Sequence, residues 1–218
     1  MRRTIIGVMG SSRERYEDLA FPLGKWLGQH GYHLLTGGGQ GVMAAVSEAF
    51  FFVSDRKGAV IGIIPAQESV FPTQESITPA QEGIIPAQAP DREISGGDQS
   101  RRNIDQDREG RANFRVKPGY PNEWVEIPII THLPLSGTQG KRALSRNHIN
   151  VLTSRIIVAL PGGPGTISEI ELALEYRKPL LIFDPYAIIP DYSKEGAIHL
   201  KTFAEVISHL GNYPAINS

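Results

Sequence analysis

The sequence predicts an α/β fold, a doubly wound, Rossmann-like parallel sheet flanked by helices, in a single domain of 218 residues. Two observations predict it. Short apolar runs that end in Gly, Pro or Ser alternate with helical patterns, which is typical of a parallel sheet covered by helices. The chain, with 40% hydrophobic and 21% charged residues, is also long enough for one good core. Ligands of such sheets bind beyond the carboxyl ends of the strands, so the residues after each strand are the candidates for a site.

Six apolar runs are predicted to be strands. They are Thr4 to Met9, His33 to Leu35, Ala59 to Ile64, Trp124 to Ile130, Arg155 to Leu160 and Leu180 to Phe183. Five segments are predicted to be helices. The first carries Leu19, Leu23, Trp26 and Leu27 on one stripe and ends at Gly31. The others are Val42 to Phe52, Arg142 to Ser154, Thr166 to Arg177 and Thr202 to Leu210.

Composition restricts the classes of partner. Lys plus Arg total 22 and Asp plus Glu total 23, so the chain has no basic footprint for nucleic acid or an anionic membrane. The absence of cysteine excludes disulfides, thiolate catalysis and Cys-based zinc sites. The opening stretch MRRTIIGVMG has too short an apolar run for a signal sequence, and no later run could span a bilayer. We expect a cytoplasmic protein with a small-molecule ligand and no metal.

A repeat interrupts the α/β pattern between about residues 67 and 117. From Pro65 the chain reads PAQESVF, PTQESIT, PAQEGII and PAQAPDR, four units of seven residues, and then becomes polar. Proline at every seventh position excludes a coiled coil, because each ring removes a backbone donor and clashes with the preceding turn. A tandem duplication inserted between two strands is predicted, and a dedicated binding arm is the alternative.

The first strand is followed by Gly10, Ser11, Ser12 and Arg13. Small residues, hydroxyl groups and a cation suit the polar edge of a ligand. The same residues are also typical of a turn that leads into a helix cap.

The second strand is followed by TGGGQGVMAAV, in which Gly39, Gly41 and Ala44 match the dinucleotide pattern G-x-G-x-x-A. That pattern needs an acidic residue about 20 positions later for the ribose hydroxyl groups. The next strand, AVIGIIP, contains none, and Asp55 precedes it. The pattern therefore does not favour a dinucleotide. The glycines are predicted to be backbone that lets an anionic or planar ligand come close, namely Gly37, Gly38, Gly39 and Gly41.

The strongest candidate is the stretch PGGPGT, residues 161–166, which follows one strand and opens the next helix. Unpaired amides at a helix start are a ready seat for a phosphate. No lysine follows the glycines, so the loop is not of the ATP-binding type, which needs G-K-[ST]. A monophosphate is the expected ligand.

Glu169 has two interpretations from local sequence. With Thr166 it forms T-x-x-E, a capping box that needs no function. Alternatively it is a catalytic carboxylate. The second interpretation gains from the preceding helix, where Arg142, Arg146 and Asn150 recur at intervals of four. That helix leads directly into the strand before the glycines, so Arg146 and Glu169 can converge on one cleft.

These motifs together resemble the LOG ("lonely guy") family of cytokinin riboside 5′-monophosphate phosphoribohydrolases. The signature P-G-G-x-G-T-x-x-E stands at residues 161–169, and the arginine that precedes it in the family falls on Arg146. The G-S-S turn matches residues 10–12, the glycine loop of that family resembles residues 37–43, and VIGIIP matches residues 60–65. The stretch from Ala143 to Asn147 departs from the family's M-H-x-R-K and looks like the relatives that carry molybdenum cofactor.

The resemblance implies hydrolysis of the N-glycosidic bond of a nucleoside 5′-monophosphate to a free base and ribose 5-phosphate. Glu169, kept ionised by Arg146, would stabilise charge at the sugar and activate water. The phosphate would bind Gly162, Gly163, Gly165 and Thr166, and the nucleotide would contact Gly10, Ser11, Ser12, Gly37, Gly38, Gly39, Gly41 and Met43. A homodimer without a resident cofactor is implied. The alternatives are a carrier that binds molybdenum cofactor without turnover, and a nucleotide sensor.

Overall fold

A parallel sheet forms the centre of the computed structural model, which describes residues 2–67 and 116–217. The strands are β1 (Arg2–Arg3), β2 (Ile5–Met9), β3 (His33–Thr36), β4 (Val60–Ile64), β5 (Ile127–Ile130), β6 (Ile156–Ala159), β7 (Leu180–Phe183), β8 (Ile198–Leu200) and β9 (Ile216–Asn217). Seven of them pair in parallel in the order β5-β4-β3-β2-β6-β7-β8, while β1 and β9 pair antiparallel. The predicted α/β fold is confirmed. The strand order reverses beside β2, where β3 lies on one side and β6 on the other, so ligands are expected at that point.

Helices cover both faces of the sheet. They are α1 (Glu17–Gln29), α2 (Val42–Phe51), α3 (Asn147–Thr153), α4 (Pro164–Glu175) and α5 (Phe203–Leu210). Alternate residues of β6 face opposite layers. Ile156 and Val158 pack with side chains of α1, α2 and α5, whereas Ile157 and Ala159 pack with those of α3 and α4. This two-sided burial explains why the central strands are continuous apolar runs. None of the described helices is long and apolar enough to cross a membrane.

The helix predicted from Arg142 begins instead at Asn147. Residues Gly137–Gln139 form a short 3₁₀ turn, and Ser145 pairs with Leu135 in an isolated bridge. Because Ser145 takes part in that bridge, the α-helix cannot begin before it. The prediction that Arg142, Arg146 and Asn150 share one helical face is wrong, because only Asn150 lies within α3. Leu144 and Leu152 are 45% and 51% exposed, so neither contributes to the core.

Two smaller differences concern element ends, and a third concerns a strand of the main sheet. The strand predicted from Trp124 begins at Ile127, and the helix predicted from Thr166 begins at Pro164. Strand β8 was not predicted, since three residues are too few to show a pattern.

The predicted insertion at 67–117 lies almost entirely outside the described residues, but both of its ends are described. Ala66 and Val116 form an antiparallel bridge, and the amide of Lys117 donates to the carbonyl of Pro65 at 3.3 Å. Residues 1–67 and 116–218 make up one compact unit. The chain leaves this unit and returns to it at the same place, just beyond the carboxyl end of β4.

Candidate ligand-binding site

A cavity of about 520 Å³ lies beyond the carboxyl ends of β2 and β6, at the reversal of strand order. The turn after β2, the start of α2 and the first turn of α4 line it, and so do two stretches around residues 136–138 and 146–147. Its size is that of an ordinary small-molecule site. The strand topology therefore places the cavity where α/β sheets bind ligands.

The cavity brings together most of the predicted site residues. Its lining includes Gly10, Ser11, Ser12, Met43, Arg146, Gly163, Gly165, Thr166 and Glu169. Gly162 lines a neighbouring cavity, and the loop after β3 does not reach the lining. Sequence reasoning missed Lys117 and Tyr120, which follow the repeat in a stretch without a recognisable motif.

The start of α4 offers open backbone donors. Gly163 is the residue before the helix, Pro164 occupies its first position, and no side chain caps it. The amide of Ile167 is the first to bond back, to the carbonyl of Gly163 at 3.1 Å. The amides of Gly165 and Thr166 have no protein partner within the described part of the chain. With the positive end of the helix dipole behind them, they form a seat for an anion.

The glycines of this loop have different roles. A Cβ on Gly162 would overlap the side chain of Thr166 and lie 2.8 Å from the amide of Ser11. A Cβ on Gly163 would meet no atom within 4 Å, and the φ of Gly163 is an ordinary −93°. Gly162 is therefore required for packing. Nothing in the protein itself requires glycine at position 163.

Glu169 is not part of a capping box. Thr166 is the third residue of α4, so it cannot cap the helix start, and the capping interpretation of this T-x-x-E is wrong. Glu169 is 8% exposed as a residue, and its carboxylate accepts a hydrogen bond from Asn150 Nδ2 at 2.7 Å. A capping box does occur at Thr202 and Glu205, at the start of α5.

Burial dominates the electrostatics of Glu169. Removal from water raises its pKa, and the charge of Arg146 and the hydrogen bond from Asn150 oppose that rise without cancelling it. Arg146 favours the ionised form of this carboxylate, as predicted, but desolvation has the larger effect on its pKa.

Arg146 ties together two strand ends. Its side chain is 4% exposed, and its Nη1 donates to the carbonyls of Gly37 at 2.8 Å and Ile63 at 2.7 Å. Its guanidinium carbon lies 5.4 Å from the ring centroid of Tyr120. Its buried Nε has no partner among the described residues. The guanidinium thus fixes the ends of β3 and β4 and brings a positive charge to the cavity.

The glycine loop after β3 is filled by the protein. The carbonyl of Gly38 accepts from the amide of Asn122 at 2.7 Å, and that of Gly39 accepts from the Asn122 side chain at 2.8 Å. A Cβ on Gly37 would lie 2.5 Å from Arg146 Nη1, and one on Gly41 would overlap the carbonyl of Ser11. The close approach that these glycines allow is one between protein segments.

The turn after β2 connects three parts of the site. The amide of Ser11 donates to the carbonyl of Pro161 at 3.0 Å, and its carbonyl accepts from Val42 at 2.9 Å. Its Oγ accepts from the amides of Arg13 and Glu14 at 3.1 and 2.9 Å. Arg13, with Lys117 and Arg146, also makes the described lining cationic, since Glu169 is its one carboxylate.

Comparison with known proteins assigns the chain to a family. The model of the SLOG cluster4 family matches residues 3–94 and 109–207. The chain belongs to this family. SLOG cluster4 is part of the LOG-like superfamily, so the predicted resemblance is confirmed. No curated protein matches the sequence.

Two solved structures share the fold of this SLOG cluster4 protein. One is the molybdenum cofactor binding protein of the phototrophic bacterium Rippkaea orientalis, with 23% identity, 97% and 98% coverage of the two chains and a TM-score of 0.60. The other is the Moco carrier protein of Chlamydomonas reinhardtii, with 23% identity, 97% coverage of each chain and a TM-score of 0.60. The predicted closeness to such carriers is confirmed at the level of the fold. Within the described part of the chain, no cluster of three or more His, Asp or Glu side chains could hold a metal ion.

Proposed function

We propose that this protein binds a small molecule in which a phosphate is joined to a planar heterocycle, and that it carries molybdenum cofactor, a phosphate-bearing pterin, without turnover. The phosphate binds the free amides of Gly165 and Thr166 at the start of α4. The heterocycle lies in the cavity between this helix start and Tyr120. Family membership and the likeness in fold to two carriers support the proposal.

The observation that carries the proposal is the set of hydrogen bonds that Arg146 and Glu169 make within the protein. Arg146 gives its Nη1 to two backbone carbonyls, and Glu169 accepts from Asn150. Each group therefore has hydrogen-bond partners within the protein that account for it without a hydrolytic reaction. Burial also favours the neutral form of Glu169, since it raises the pKa of this carboxyl. The neutral form that burial favours would not repel a bound phosphate.

The charge of the lining also favours a phosphorylated ligand. Arg13, Lys117 and Arg146 supply positive charge to the described lining, against the single carboxyl group of Glu169. The near-neutral charge of the whole chain supports a small anion rather than nucleic acid as the partner.

The second candidate function is hydrolysis of a nucleoside 5′-monophosphate. The complete signature at residues 161–169 favours it, and Glu169 lines the cavity. Water would add to C1′ of the ribose, the bond from C1′ to the base would break, and the base would leave with a proton. Glu169 would have to be ionised to activate that water, which its burial opposes.

One experiment distinguishes the two functions. Wild type and Glu169→Gln are incubated anaerobically with molybdenum cofactor and separately with AMP. Retained cofactor is detected as the fluorescent oxidised pterin after gel filtration, and free adenine and ribose 5-phosphate are detected by chromatography. We expect both proteins to retain cofactor with affinities within about threefold and neither to release adenine. Adenine release that disappears in the variant would establish the hydrolase instead. Failure of the folded wild type to bind either compound would refute both functions.

We also propose a cytoplasmic homodimer, on the strength of the LOG resemblance. Light scattering of the purified protein tests the dimer, and a mass near the monomer's 23.9 kDa would contradict it.

A further inference from the structure

A second cavity, of about 530 Å³, lies on the other side of the α4 start. Pro164, Ile167, Ile188 and Pro190 give it apolar walls. An ion pair joins Lys141 Nζ to Glu171 Oε2 at 3.1 Å, and both residues belong to the lining. This combination of apolar wall and polar edge suits a ring system that carries hydroxyl or amino groups.

The two cavities meet at a low ridge. Gly163, Pro164 and Thr138 line both of them, and all three are exposed. A side chain at position 163 would find open space, so the glycine keeps the ridge low. The free amides of Gly165 and Thr166 lie immediately beyond the ridge on the same helix turn.

The loop after β7 holds Ile188 in a fixed position. Asp184 is 1% exposed, and its carboxylate accepts from the amides of Tyr186 at 3.0 Å and Ile189 at 2.6 Å. Ala187 has a φ of +56°, a conformation that costs energy for a residue with a side chain. Ile188 is nevertheless 48% exposed. The hydrogen bonds of Asp184 thus fix Ile188 at the wall of the second cavity, where a ligand in that cavity would contact it.

We infer that the ligand is elongated, with one ring system in each cavity and a diphosphate bridge crossing the ridge at the start of α4. The inference rests on the proposed function, because it assumes that the first cavity takes a phosphorylated heterocycle. Each cavity is large enough for one nucleoside-sized group. The bridge places its charge against the free amides, and the second ring covers Ile188. The ligand class is therefore two heterocycles joined through a diphosphate.

Three probes separate the contributions of charge and ring. AMP has one phosphate, ADP adds a second, and P1,P2-di(adenosine-5′) diphosphate adds a second nucleoside to that. We expect calorimetric titration to give an affinity for the dinucleotide about tenfold above that for ADP. In Ile188→Ser this advantage should fall to within about twofold, while AMP binding stays unchanged. Ile198→Ser is the matched control, since Ile198 is 41% exposed but lies in β8, outside both cavities.

The outcomes separate the inference from the function beneath it. Equal affinities for ADP and the dinucleotide in wild type would overturn the inference and leave the proposed function standing. An advantage of the dinucleotide that survives in Ile188→Ser would also overturn it, because the second ring would then lie elsewhere. If none of the three probes binds to the folded protein, binding of a phosphorylated heterocycle is itself contradicted.

Discussion

The loop after β3 and the loop after β6 both place several glycines between a buried strand and a helix, but only the second leaves its backbone open. In the first, the carbonyls of Gly37, Gly38 and Gly39 accept hydrogen bonds from Arg146 and Asn122. In the second, two amides of the following helix have no partner in the described residues, and Gly163 borders open space. The same composition thus serves close packing within the protein in one loop and access for a ligand in the other.

The difference teaches that a glycine is best interpreted by what its missing side chain would touch. Where a Cβ would overlap the protein, glycine is a packing requirement. Where a Cβ would meet no protein atom and φ is ordinary, the fold does not require glycine, and the space is available to a bound ligand instead. The two loops can be separated experimentally on this basis.

The largest effect is expected in the loop after β3, whose glycines are packed against other parts of the protein. Gly41 has a φ of +67°, and a Cβ there would overlap the carbonyl of Ser11 and lie 2.7 Å from the amide of Arg13. Gly41→Ala should lower the free energy of unfolding by about 3 kcal/mol, through backbone strain and steric overlap together. Urea denaturation measures this change. A loss below about 1 kcal/mol would show that the loop relaxes at little cost.

In the loop after β6, a substitution should reduce ligand affinity and leave stability almost unchanged. Gly163→Ala should reduce affinity for AMP about tenfold while changing the free energy of unfolding by about 1 kcal/mol or less. Gly162→Ala is the neighbouring control, since its Cβ would overlap Thr166, and it should destabilise the fold. Unchanged AMP affinity in a folded Gly163→Ala would show that the loop after β6 does not contact the ligand at this position.

Helix α5 provides a capped counterpart to the open start of α4. Thr202 Oγ1 accepts from the amide of Glu205 at 3.3 Å, and the Glu205 carboxylate accepts from the amide of Thr202 at 2.8 Å. Thr202→Ala should therefore cost about 1 kcal/mol of stability, and Thr202→Ser should restore most of it. Equal stability of the alanine and serine variants in urea would argue against a working cap.

The last expected effect is a pH trend from Glu169, whose burial raises its pKa against the opposing influence of Arg146 and Asn150. The pKa of Glu169 is higher in the folded than in the unfolded chain, so the folded state binds its proton more tightly. The stability that this group contributes is present below its ordinary pKa and is lost as pH rises through the raised value. Urea titrations from acidic to neutral pH should show wild type losing stability relative to Glu169→Gln. A constant difference between the two would contradict the raised pKa.

Much of the fold could be predicted because buried parallel strands leave a strong signal. Continuous apolar runs such as residues 60–64 and 156–159 correspond to central strands with helices on both sides. Strand β8 carries only three residues, and the sheet edge gives it one neighbour, so no pattern marked it.

The site was less predictable because local sequence does not specify tertiary partners. T-x-x-E occurs at both Thr166 and Thr202, yet only the second is a cap, since Pro164 starts α4 two residues early. Arg146 was expected to orient Glu169, but it acts on that carboxylate through its charge alone. Its hydrogen bonds instead go to carbonyls of residues 37 and 63, which lie more than 80 positions away in the chain.

The bridge between Ala66 and Val116 has a consequence for the history of the chain. The seven-residue repeat begins at Pro65, one residue before the bridge, and the bridge brings the two ends of the inserted segment together. Copies of such a unit can be gained or lost during replication with little effect on the stability of the sheet, since the entropic cost of closing a loop rises only slowly with its length. We expect natural variants to differ in repeat number while Lys117, Tyr120 and Asn122, directly after the junction, stay in place. The junction separates a part of the gene that is free to change in length from a part that is not.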